Sequence, residues 1–368
     1  MNLVCSRQLL ATALATVSGV VPTRTAKEIL KNVKLSVIDG TATLTGTDQE
    51  VGIRYQLPEI QSNSAGEVLL PQRVMSILRE LQDSEVTIEV EDRQLRIRSG
   101  QSEFKLSVED PAEFPDVTAF KEKDYHIVTG PVLKQGLQRT IFATDTESTR
   151  YALGGVLMEL RKDSLTLAAT DSRRLAVFSG SASALGSVSE EIVSPVVPAK
   201  AMQLIERSIA GGDSEVHIAL HSNDILVRSG QSTIYARLVE GRFPRYQDVI
   251  PTDYSRTVSF VVGPFLSAVR QAMIVTNEES KGVDFVFDSG TLTLKSTASD
   301  IGTSQVQLPI SMDGEAVTIT FDPKFVADFL KVLDPSSQVT LKIVDSDSAA
   351  VFKADEGYTY VVMPLARD

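Results

Sequence analysis

The chain has 368 residues, 42% of them hydrophobic and 23% charged, with a net charge of −12 and no tryptophan. That length exceeds what one hydrophobic core usually serves, so two or three domains are expected, and the acidic balance argues against nucleic-acid binding by the surface as a whole. A single cysteine, Cys5, excludes an internal disulfide framework and fits a reducing compartment.

The first element is a helix over 6–18. Its leucine- and alanine-rich run could pass for a short secretory signal. Threonines interrupt that run, however, and the apolar residues Leu3, Leu10, Leu14 and Val17 fall at helical spacing. No run reaches the roughly 18 apolar residues of a membrane span, and a cytoplasmic protein is expected. An alternating strand follows over 41–48, ending at Thr47-Asp48. A second helix opens near Pro71, and alternating residues 85–90 lead to Arg98-Ser-Gly-Gln-Ser102.

The same order then recurs twice. Helices over 132–143 and 265–276 precede alternating strands over 164–171 and 291–297. Helices headed by Pro198 and Pro323 come next, so the three prolines stand about 125 residues apart, within the usual size of a domain. Arg-Ser-Gly-Gln-Ser returns at 228–232. The fold class is therefore α+β, three repeats of two helices packed on antiparallel strands, with domains at 1–123, 124–252 and 253–368.

The six helix windows hold ten basic residues against three acidic ones, a surplus of seven in a chain of net charge −12. The basic residues include Arg73, Arg79, Lys134, Arg139, Lys200, Arg207, Arg270, Lys324 and Lys331. If the helices line one surface, it is a positive track that attracts phosphates without reading bases.

Catalytic material is scarce. There is no glycine-rich phosphate loop, no nucleophile elbow, and no Cys or His cluster with metal spacing. His217 and His221 lie four apart in a strand pattern without a third ligand, and Asp345-Ser-Asp-Ser348 reads as a hairpin turn. No metal or cofactor is expected. Two other readings remain open: a DNA-free repeat scaffold, and a hydrolase using Asp171 or Asp345. One corner stands out, Ala169-Thr-Asp-Ser-Arg-Arg-Leu-Ala176. Thr170-Asp171 repeats Thr47-Asp48, whereas Arg173-Arg174-Leu175 has no counterpart in the other repeats.

That corner, with Tyr151-Ala-Leu-Gly-Gly-Val-Leu-Met-Glu159, Arg242-Phe-Pro-Arg-Tyr-Gln-Asp-Val-Ile-Pro251 and the tail Tyr360-Val-Val-Met-Pro-Leu365, resembles the bacterial sliding clamps, the beta subunits of DNA polymerase III. The resemblance spans the whole chain. It implies a non-catalytic processivity factor. Two chains would form a homodimer, closing head to tail into a six-domain ring with helices facing the hole and sheet outside.

Double-stranded DNA would be encircled without sequence preference, with Arg24, Arg150 and Tyr151 added to the DNA-facing set. Short peptides of the polymerase alpha subunit, the clamp-loader complex, translesion polymerases and repair proteins would dock in a pocket. That pocket would be built from Leu153, Thr170, Arg173, Arg174, Leu175, Pro244, Val249, Val361, Met363, Pro364 and Leu365. Phe104 and Leu106 of one chain would meet Ile274 and Val275 of the other. This chain has Ser172-Arg173 where the family commonly has Gly-His, and Asp248 where an arginine is common.

Overall fold

The computed structural model describes residues 1–148, 150–188, 194–209, 211–212, 214–277, 281–355 and 357–366, apart from the side chain of Tyr151. Six α-helices lie among them, α1 (Arg7–Ser18), α2 (Arg73–Glu80), α3 (Gly130–Thr140), α4 (Ala199–Ser208), α5 (Val262–Ala272) and α6 (Pro323–Lys331). They pack in pairs, α1 on α2, α3 on α4 and α5 on α6, one pair to each repeat.

The helix boundaries follow from local chemistry. Ser6 caps α1 by accepting from the Leu9 N–H, and Leu10, Ala13, Leu14 and Val17 bury one stripe at helical spacing. Asn2–Ser6 is a strand paired on both sides, with Ile60–Ser64 and Glu85–Glu91. The three prolines occupy three different positions at their helix starts. Pro323 is the first residue of α6, Pro198 caps α4, and Pro71 sits two residues ahead of α2, its carbonyl accepting from the Val74 N–H.

Each repeat contributes two strands that matter beyond its own core. A corner strand follows the threonine corner: Val51–Leu57, Arg174–Ser181 and Gly302–Pro309. A closing strand ends the repeat: Ser102–Ser107, Ser232–Arg237 and Tyr358–Val362. The second closing strand pairs antiparallel with the first corner strand, and the third closing strand with the second corner strand. Each pairing fuses sheets of neighbouring repeats into a nine-stranded sheet.

The two joints share one register. At the first, Ser232 lies opposite Tyr55, Ile234 opposite Ile53 and Ala236 opposite Val51. At the second, Tyr358 lies opposite Phe178, Tyr360 opposite Ala176 and Val362 opposite Arg174. Pairing within each hairpin shows these positions to be equivalent (Leu44 with Tyr55, Leu167 with Phe178; Ser229 with Ser232, Asp355 with Tyr358). The first closing strand, Ser102–Ser107, and the third corner strand, Gly302–Pro309, are edges of their sheets among the described residues. An unpaired edge of this length is a template for another strand.

Candidate functional site

The corner at 170–174 is held by its own side chains. The Thr170 hydroxyl donates to the Arg174 carbonyl at 2.6 Å and accepts from the Ser172 N–H. One Asp171 carboxylate oxygen accepts from the N–H groups of both Arg173 and Arg174 at 3.0 Å. Ser172 takes a positive φ of 76°. The first repeat builds the same corner with Thr47, Asp48, Gln49 at φ 82°, and Val51. Short polar side chains that bond the backbone two and three residues on are what such a turn requires.

Arg174 stands where the first repeat has Val51, and it is 9% exposed. Its Nε donates to Asp171 at 2.9 Å, one terminal nitrogen to Asp328 at 2.9 Å and the other to the Phe142 carbonyl at 2.7 Å. The guanidinium also lies over the rings of Phe325 and Phe142. A buried guanidinium needs this many partners, because each unmet donor carries a desolvation cost. Asp328 comes from α6 of the third repeat, so Arg174 ties the corner across the second joint.

Above this network opens a cavity of about 210 Å³. Thr170, Arg173, Arg174, Leu175, Pro244, Val249, Val361 and Met363 line it, eight of the eleven residues expected there. Met363 is tied to the corner through its N–H to the Arg173 carbonyl at 2.8 Å. Below the wall lies an apolar cluster that includes Leu157, Leu175, Val196, Tyr246, Val351 and Val361. The Tyr246 phenol faces Glu159 at 3.4 Å, and burial, helped by that carboxylate, pushes its pKa up to about 12. It remains a neutral donor.

Three expected pocket residues stand off the cavity wall. Leu153 is buried in the short helix Tyr151–Gly154, with its carbonyl accepting from the Asp145 N–H. Leu365 donates its N–H to the Thr320 carbonyl and lies beside Gly282 on the third repeat's sheet, carrying Pro364 away with it. Sequence reasoning missed Ser172 and Tyr246, and it put Arg150 in the DNA-facing set although that residue lines the cavity. An inward aromatic two residues after Pro244 was the available signal for Tyr246. Nothing local to the corner pointed to Asp328.

Of the cations expected to face DNA, Arg24, Arg73, Arg79, Lys134, Arg207, Arg270, Lys324 and Lys331 are exposed. Arg139 corrects that expectation. It is 7% exposed, paired with Asp355 at 2.6 Å and set against the rings of Tyr358 and Phe178. Counting basic residues on a helix cannot tell its outer face from the face packed on a sheet. Lys200 is half exposed, but its ammonium is held by Asp48 and the Val20 carbonyl across the first joint. Lys331 pairs with Asp328 at 3.0 Å. The side chain of Tyr151 lies outside the described residues.

Phe104 and Leu106 lie on the open closing strand, Phe104 being 36% exposed. Ile274, 76% exposed, and Val275 form the turn Met273–Val275, packed beside the open corner strand Gly302–Pro309. The histidines are engaged elsewhere. His217 stacks on Tyr125 and faces Arg228, while His221 lies between Asp224 and Glu122. Asp345 accepts from the N–H groups of Asp347 and Ser348.

Comparison with known proteins places these features together. Residues 1–118, 128–245 and 247–366 match, in order, the family models of the N-terminal, central and C-terminal domains of the DNA polymerase III beta subunit. The beta sliding clamp of Escherichia coli K12 is 29% identical over 369 residues, covering 99% of this chain and all of the relative. That of Synechococcus elongatus is 28% identical, covering 99% of both. The structure of the Pseudomonas aeruginosa beta subunit superimposes with a TM-score of 0.91 at 28% identity over the full length of both chains. With every repeat matched in its own place, the chain belongs to the DNA polymerase III beta subunit family, the non-catalytic DNA sliding clamps.

Proposed function

We propose that two copies of this chain close head to tail into a ring around duplex DNA, with domains at 1–123, 124–252 and 253–368. The observation that carries this reading is the shared register of the two internal joints, set beside the two edges left open. Extended to the third position of the repeat, that register pairs Ser102 with Val306, Glu103 with Gln305, Phe104 with Ser304 and Leu106 with Gly302 of a second chain. Two such pairings use both edges of both chains, and a head-to-tail contact that closes makes a ring.

The exposed cations of the helices supply sequence-independent attraction to phosphates, and topology supplies the hold. Partner proteins dock short peptides in the cavity at the second joint, burying apolar anchors there. The partner set is the replicative polymerase's alpha subunit, the clamp loader, translesion polymerases and repair proteins. A hydrolase using Asp171 or Asp345 is disfavoured, because two backbone amides engage each carboxylate and Arg174 also pairs with Asp171.

A cysteine cross-link tests ring and register together. Residues directly opposite in an antiparallel pair lie about 4.5–5.5 Å apart at Cα, within disulfide range. Glu103→Cys with Gln305→Cys should link two chains on oxidation. Cys5 does not compete, being buried, with its thiol pushed up to about 12. Loaded by a clamp loader onto a nicked circle and then oxidised, the linked dimer should stay bound until the circle is cut. Equal retention on circular and linear DNA would sink the reading.

A further inference from the structure

The cavity's apolar wall can bury a leucine or phenylalanine, but an apolar pocket discriminates poorly between segments that carry one. The charge around its mouth is uneven. Arg150 and Arg173 line the cavity, and beyond Arg173 a groove of about 610 Å³ is lined by Arg173, Lys281 and Lys324. The carboxylates on that side already serve the fold. Asp171 and Asp328 hold Arg174, and Asp322 caps α6 by accepting from the Lys324 N–H at 2.9 Å. Among the described residues, Arg150, Arg173 and Lys324 take part in no ion pair. On the segment that carries Pro244 and Val249 the exposed charges are mixed, Arg245 and Asp248.

We propose that this rim selects partner peptides whose apolar anchor is flanked by carboxylates, the flank lying over Arg173 and the Lys324 groove. The proposal rests on the peptide-pocket reading above and names the class of partner that pocket prefers. A chain of net charge −12 repels acidic segments over most of its surface, so a local group of cations both raises the encounter rate and fixes the direction of the peptide.

Fluorescence anisotropy with the full-length protein tests it. Labelled peptides share one Leu-Phe anchor and differ in flank: two glutamates before it, two glutamates after it, or glutamines at both ends. One glutamate peptide should bind about tenfold tighter than the glutamine peptide at low salt, the sum of two or three exposed ion pairs. The preference should shrink to about two- to threefold at roughly 0.5 M salt, and in Arg173→Gln with Lys324→Gln. Equal affinity of all three peptides would overturn the selectivity and leave the pocket standing. No binding by any peptide would remove the pocket reading, and the proposal with it. Loss of the preference when duplex DNA is added would assign the groove to phosphates and overturn the proposal.

Discussion

The two joints inside the chain use one strand register and one threonine–aspartate corner, yet they are finished differently, and the second carries the cavity at 170–175. At the first, the corner carboxylate Asp48 receives Lys200 from α4 of the next repeat. At the corresponding place in α6 stands Phe325, and the second corner carboxylate, Asp171, is met instead by Arg174, which lies over that ring. The linkers differ as well. Val117 of the first linker lies so close to Gly52 that an added Cβ would meet it at 2.7 Å. At the second joint Leu175 holds the place of Gly52, and it lines the cavity together with the linker residues Pro244 and Val249. The pocket is the joint that its linker cannot close.

The sharpest way to break this comparison is to remove the two cations. Arg174→Ala leaves Asp171 and Asp328 facing each other's charge with little water, and should cost about 3–5 kcal/mol of stability. Lys200→Ala removes a half-exposed pair and should cost under about 1 kcal/mol. Urea unfolding of both variants measures the contrast. Similar losses would show that the buried network is no more than a second version of the surface clasp.

Next in size is Gly52→Leu, which writes the second joint's residue into the first. Overpacking against Val117 should cost about 1–3 kcal/mol, because the linker must lift from the strand. A fully stable variant would mean that something other than this side chain keeps the first linker down.

Much of the architecture was legible because it was written three times. Helical spacing, alternating strands and spaced prolines placed all six helices, and the corner chemistry of Thr47-Asp48 and Thr170-Asp171 was visible as a motif. Pairings between repeats were not legible, since no local pattern says which edge meets which. For the same reason Asp328, Phe142 and Phe325 escaped notice as partners of Arg174. Arg139 was misplaced because a positive charge was taken as a sign of the outer face, whereas Asp355 and two rings make the inner face a home for it. The tail was read as one unit, but Met363 turns to the corner and Leu365 to Thr320.

The smallest effect separates the joints by pH. His221 follows the strand Glu215–Leu220, with Nδ1 2.6 Å from Asp224 and Nε2 3.6 Å from Glu122 in the first linker. Only the imidazolium can face both carboxylates as a donor. The Asp224 hydrogen bond, opposed by partial burial and aided by the charges of Asp224 and Glu122, holds its pKa above the ordinary 6.5. A raised histidine pKa stabilises the fold fully below the unfolded value, and that contribution is lost as pH rises through the folded value. With the side chain a little over a third exposed, the effect should stay below about 1 kcal/mol. Glu122→Gln should therefore cost more stability at about pH 5.5 than at about pH 8.5, and NMR should show the His221 titration moving down in Asp224→Asn. Val344 occupies the corresponding position after Gln338–Ile343, so the second joint has no such group. If protection from hydrogen exchange, taken relative to the intrinsic rate at each pH, rises equally at both joints on acidification, His221 is not the cause. If that protection rises around 115–124 alone, the first linker is pinned by a proton and the second by packing.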